Sequence, residues 1–122
     1  MVKRELLEKD HQKAVIQWMN LAYPALIFFH VPNEGKFPVQ YRVQLKKMGL
    51  LAGVPDLFIA KSSHFDGRTY HGLFVEMKRN NKCKITSKQK EVMEKLELHN
   101  YRCEVGYGMD DAMKKIRYYL TK

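Results

Sequence analysis

Along the chain the apolar positions switch period several times, and each switch marks an element. Between Leu6 and Pro24, Val15, Ile16, Met19 and Ala22 recur at three- and four-residue spacing with Trp18 beside them, which predicts an amphipathic helix ended by Pro24. "ALIFFHV" follows as a short strand, closed by the turn residues "PNEGK". "VQYRVQLKKMG" reads as a second helix of weaker pattern, with Gly49 as its stop. "LLAGVPD" leads into the strand "LFIA". The polar stretch "KSSHFDGRTYHG" then reads as a hairpin loop, returning the chain into "LFVEMK" as an antiparallel neighbour.

After the basic loop "NNKCKI", the segment "TSKQKEVMEKLELHN" predicts a helix. Thr86 and Gln89 form its capping box, and Val92, Met93 and Leu96 its core face. "YRCEVGYG" is a strand. "MDDAMKKIRYYL" is a closing helix, with acids in its first turn and bases later, as the helix dipole favours. The order α-β-α-β-β-α-β-α predicts an α/β fold in which helices flank a mixed central β-sheet. At 122 residues, without repeats or a linker, the expectation is a single domain over residues 1–122.

Charge narrows the partner. Lys and Arg number 22 against 13 Asp and Glu, a net charge of +9, which favours a polyanion such as nucleic acid. The surplus is concentrated. From Lys78 to Lys90 the chain carries Lys78, Arg79, Lys82, Lys84, Lys88 and Lys90 with no acid between them. The two cysteines, Cys83 and Cys103, lie in no zinc-like spacing, and a reduced, cytoplasmic setting is expected. The charged N-terminus is unlike a signal peptide, and no apolar run is long enough to span a bilayer, so no membrane partner is expected.

The chemistry sits in "HGLFVEMKRNNK". Strand alternation puts Phe74, Glu76 and Lys78 on one face and Leu73, Val75 and Met77 on the other. An acid and a base at a strand end can be a plain ion pair. "GVPDLFIA", however, places Asp56 at the entrance of the neighbouring strand, beside Glu76 and Lys78. Two clustered carboxylates repel and favour a divalent cation between them, and hard oxygen ligands suit Mg²⁺ or Mn²⁺. A cation there activates water and polarises a phosphoryl oxygen, while a lysine steadies the developing charge. The expected chemistry is phosphodiester hydrolysis.

"GVPD" followed by "FVEMK" resembles the PD-(D/E)xK nuclease signature. The blocks "FFHVPNEGK", "GLLAGVPDLFIA", "HGLFVEMK" and "SKQKEVMEKLELHNYRCEVGYGMDDA" together resemble the VRR-NUC family of that superfamily, over nearly the whole chain. The resemblance implies a restriction-endonuclease-like core and metal-dependent cleavage of DNA. Asp56, Glu76 and the main-chain carbonyl of Met77 would be the metal ligands, and Lys78 would serve the water and the transition state. It also implies a homodimer that cuts branched DNA such as four-way junctions, as small stand-alone members in phages and bacteria do. Flap, nicking or restriction-type cleavage and a non-catalytic DNA-binding module are the alternatives.

Gln12 and Gln89 each begin the buried stripe of a helix and match positions with which the family lines its site. The family's acid on the first helix has no clear counterpart here: Gln12 is the most inward residue, followed by Glu8 and then Asp10. Arg79, Lys82, Lys84, Lys88 and Asn33 are the expected DNA contacts. The hairpin arm at 61–71 and the aromatics near the C-terminus, Tyr118 and Tyr119, are candidates for an interface.

Overall fold

The computed structural model describes residues 6–32 and 37–122. Its centre is the strand that carries the acid and the base. Strand β5 (Leu73–Lys78) alternates as its sequence requires, with Leu73, Val75 and Met77 fully buried on one face. On one side it pairs antiparallel with β2 (Leu57–Ile59), which pairs antiparallel with β1 (Phe28–His30). On the other side it pairs in parallel with β6 (Arg102–Tyr107). The sheet order is β1-β2-β5-β6.

Helices α1 (Glu8–Ala22) and α4 (Met109–Leu120) cover the apolar face of β5, where Val15, Met19, Ala112, Ile116 and Tyr119 complete the core. The α4 backbone comes close. A Cβ at Gly106 would lie 2.5 Å from that of Ala112, so only glycine fits in β6 there. On the opposite face, α3 (Ser87–Leu98) makes the crossover between β5 and β6 that a parallel pair demands. The same face carries the cross-strand row Phe29, Phe58 and Phe74, with ring centroids 5.6 and 4.6 Å apart.

The expected order of elements is found, with one addition. Residues 61–72 contain two further strands, β3 (Ser63–Phe65) and β4 (Arg68–Tyr70), joined through Asp66 and Gly67 at φ of 54° and 70°. Both residues take the left-handed conformation of a tight hairpin turn. Ser63, Phe65 and Tyr70 are buried against α4, and the Ser63 hydroxyl donates to the Tyr119 carbonyl at 2.9 Å. This inner face belongs to the core and is not available to an interface. Tyr119 is likewise core, 1% exposed, its hydroxyl donating to the Lys61 carbonyl at 2.6 Å, whereas Tyr118 is half exposed. Helix α2 (Val39–Lys47) forms where its sequence suggests but buries no residue. Among the described residues no helix is long and apolar enough to cross a membrane.

Candidate active site

The pairing of β2 with β5 aligns Leu57 with Val75, so the next residue pair outward is Asp56 opposite Glu76. Both carboxyls are shielded from water, at 5% and 3% exposure. Asp56 Oδ2 accepts the Met77 N–H at 2.7 Å, taking the place of a ladder bond where β2 ends. A strand residue's N–H and C=O point the same way, so the Met77 carbonyl also opens toward Asp56.

Burial pushes the Glu76 carboxyl from its ordinary 4.5 up to about 9, reinforced by its hydrogen bond to Asp56 and by the Asp56 charge. Glu8 on α1 adds in the same direction, and Lys78 opposes it. At neutral pH Glu76 therefore carries a proton, which it donates to Asp56. Two buried carboxyls cannot both ionise at such proximity without a cation.

Gln89 organises the other side. Thr86 Oγ1 accepts the Gln89 N–H at 3.1 Å, and Gln89 Oε1 accepts the Thr86 N–H at 2.9 Å. This is the expected capping box, satisfying donors that the first turn of α3 leaves open. The same oxygen accepts from Lys78 Nζ at 3.2 Å, and Gln89 Nε2 donates to Glu76 Oε1 at 3.3 Å. One amide thus spans the acid and the base of β5.

From α1, Gln12 reaches the site through a residue to which the sequence reading assigned no role. Its Nε2 lies 3.0 Å from His30 Nδ1, which is also 3.0 Å from the Asp56 carbonyl. That carbonyl in turn accepts the Val31 N–H at 2.7 Å. His30 ends β1 opposite Leu57, so antiparallel pairing alone brings it beside Asp56, a signal present in the sequence. Asp10 is occupied elsewhere: its Oδ2 accepts the Leu7 N–H at 3.1 Å and caps α1. His11 has a structural task, its Nδ1 accepting the Met109 N–H at 3.0 Å where α4 begins with no side-chain cap of its own.

The basic run leaves the site on an ordered loop. Asn80 Oδ1 accepts the Lys82 N–H at 2.9 Å, and the Asn80 carbonyl accepts the Cys83 N–H at 3.2 Å. Arg79, Lys82 and Lys84 are exposed along it, and Lys88 is exposed in the first turn of α3. Asn33 lies outside the described residues.

The donor set fits a hard divalent cation. Asp56, Glu76 and the Met77 carbonyl offer oxygen only, and two buried carboxyls facing each other across β2 and β5 call for a positive charge between them. Among the described residues no group of three or more His, Cys, Asp and Glu side chains is placed to hold a metal ion. The remaining positions would fall to the carbonyl, water and substrate, the habit of Mg²⁺ and Mn²⁺.

A carboxylate pair and a lysine at the adjoining ends of two antiparallel strands, in a mixed sheet flanked by helices, define a nuclease of the restriction-endonuclease-like class. Residues 6–110 match the VRR-NUC domain family. Among solved structures, a VRR_NUC domain protein is similar at 28% identity and a TM-score of 0.76, over 97% of this chain and 91% of that one. Among curated proteins there is no match. The chain belongs to the VRR-NUC family, whose members are DNA-processing nucleases.

Proposed function

We propose that the protein is an Mg²⁺- or Mn²⁺-dependent endodeoxyribonuclease acting on branched DNA such as four-way junctions. The observation that carries the hydrolytic reading is the buried Asp56–Glu76 pair with Lys78 beside it, bridged by Gln89. Asp56, Glu76 and the Met77 carbonyl would hold the metal, which when bound supplies an acidified water and neutralises phosphoryl charge.

The protein's own groups do the rest. Lys78, fixed by Gln89 Oε1, orients the attacking water and meets the negative charge that develops on the phosphorane oxygens. Gln89 Nε2 holds Glu76 in place once its proton has left. Gln12, anchored on His30, lines the opposite wall. Arg79, Lys82, Lys84 and Lys88 grip the sugar-phosphate backbone, and Asn33 joins them. Such contacts position DNA without reading its sequence, which suits recognition of shape. The chain acts as one nuclease domain, and a two-fold homodimer would place two such sites for paired nicks on opposing strands.

The test is cleavage of end-labelled four-way junction, flap and linear duplex with each metal, with Glu76→Gln alongside. Metal-dependent, symmetric junction cuts lost in the variant support the reading. Cuts confined to flap or linear duplex discard the junction role, and binding without cleavage discards the enzyme.

A further inference from the structure

Among the described residues α2 is the helix that contributes nothing to the core. It has nine residues, buries none of them, and carries Val39, Tyr41 and Val43 at half exposure or more. A helix this short is marginal in water unless one face is packed, since isolated helices need roughly 12–15 residues to persist. Its end is nonetheless well defined. Gly49, at φ 107°, donates to the Lys46 carbonyl, and Leu50 donates to the Leu45 carbonyl, closing the helix in a Schellman turn. Among the described residues α2 thus has a built stop and no buried face, a surface on which a partner can dock.

Charge says what. Helix α2 contains Arg42, Lys46 and Lys47 and no acid. The helix dipole accounts for lysines in the last turn but not for an arginine in the middle. Arg42 and Lys46, one turn apart, line a cleft of about 210 Å³ with Val39 and Val43, and Arg42 Nε donates to nothing among the described residues.

The loop after α2 connects it to the site. Gly53, at φ 88°, lies so close to α3 that a Cβ would sit 2.8 Å from the Lys88 carbonyl oxygen. Lys88 precedes Gln89, so the segment leading from α2 to Asp56 is seated beside the basic loop.

We infer that α2 is a second DNA-backbone contact, with Arg42, Lys46 and Lys47 binding phosphates of a duplex segment adjacent to the strand held at Lys78–Lys90. This rests on the nuclease reading and adds the surface by which substrate geometry would be sensed. Contacts from both α2 and the basic loop would engage two backbone segments together, as a branch presents them.

The experiment measures binding of a labelled four-way junction to the full chain without metal, from low to moderate salt. It compares the wild type with Arg42→Ala/Lys46→Ala/Lys47→Ala. Each phosphate contact contributes about 0.9 to the slope of log affinity against log salt. The triple variant should lower the slope by roughly 2 to 3 and weaken junction binding 10-fold or more, with little change for short linear duplex. Lys61→Ala/Lys114→Ala/Lys122→Ala removes the same charge from α4 and its far end, and should leave the slope near that of the wild type. Unfolding midpoints check that both variants fold, which the exposure of α2 favours.

Equal slopes for wild type and α2 variant, or equal losses in both variants, would overturn the proposal. So would a changed sedimentation coefficient with an unchanged slope, which would make α2 a contact for a second copy. If the wild type itself neither binds nor cuts DNA, the nuclease reading fails first. If it cuts and only the slope result is negative, α2 alone is discarded.

Discussion

Gln89 holds Glu76 with its nitrogen and Lys78 with its oxygen, at 3.3 and 3.2 Å. Gln89→Ala removes both contacts and half of the capping box. It should lower stability by about 1 kcal/mol and cleavage by roughly 10- to 100-fold. Thr86→Ala separates the two effects, because it weakens the cap and leaves the amide beside Glu76. Thermal unfolding should put the two variants close together, and single-turnover cleavage should put them well apart.

The proton on Glu76 makes the metal-free protein sensitive to pH. Its folded pKa is raised to about 9 from 4.5, so between those values the folded state binds more protons than the unfolded one. The contribution to stability is full below about 4.5 and is lost as pH rises through about 9. Glu76→Gln, which keeps a donor to Asp56, should flatten this dependence and raise the unfolding midpoint at pH 8 while abolishing cleavage. Unfolding curves from pH 5 to 9 without metal decide it.

The same proton must leave when a cation arrives. Binding of Mn²⁺ should release about one proton per ion below pH 9 and tighten about tenfold per pH unit. Calorimetry in two buffers of different ionisation enthalpy measures the release, and Glu76→Gln should show none. Stripping the metal with a chelator should stop cleavage and return the proton.

From an exposed position His30 Nδ1 stands 3.0 Å from both Gln12 Nε2 and the Asp56 carbonyl, accepting from the amide in one tautomer and donating to the carbonyl in the other. His30→Ala should therefore cost little stability, under about 1 kcal/mol, yet reduce cleavage about 10-fold by loosening both walls. In a double variant with Gln12→Ala the losses should not add, because the residues act through one bond. Full additivity in cleavage rates would show that they act separately.

Lys115 guards the open edge of the sheet. Its Nζ donates to the Val105 carbonyl at 2.6 Å and pairs with Asp111 at 2.9 Å, while Asp111 accepts the Tyr107 N–H at 2.9 Å. One ion pair thus occupies an acceptor and a donor of β6. Lys115→Ala should expose that edge and promote concentration-dependent association, visible by light scattering, without loss of the site.

Much of this architecture was legible because local rules and tertiary packing agree. The helical stripe of α1, the capping box of α3 and the alternation in β5 each specify one face, and the β2–β5 pairing follows from the polar, turn-rich segment between them. The Asp56–Glu76 juxtaposition then follows by counting. The inner hairpin was legible only as a turn, because three-residue strands are too short to show a period, although Asp66-Gly67 signals the turn itself. The task of His11 was not legible, because it depends on a contact between elements far apart in the chain, which periodicity does not encode. The place of His30 follows from the β1–β2 register. The weak apolar pattern of α2 foretold its lack of a buried face.

The double use of Gln89 ties the site to one connection of the chain. Glu76 and Lys78 sit on β5 and the amide that aligns them sits on the first turn of α3, so the crossover from β5 to its parallel neighbour β6 also sets the spacing of acid, base and amide. Lengthening or shortening residues 79–86 would keep every group the chemistry needs and displace the amide from the pair it aligns.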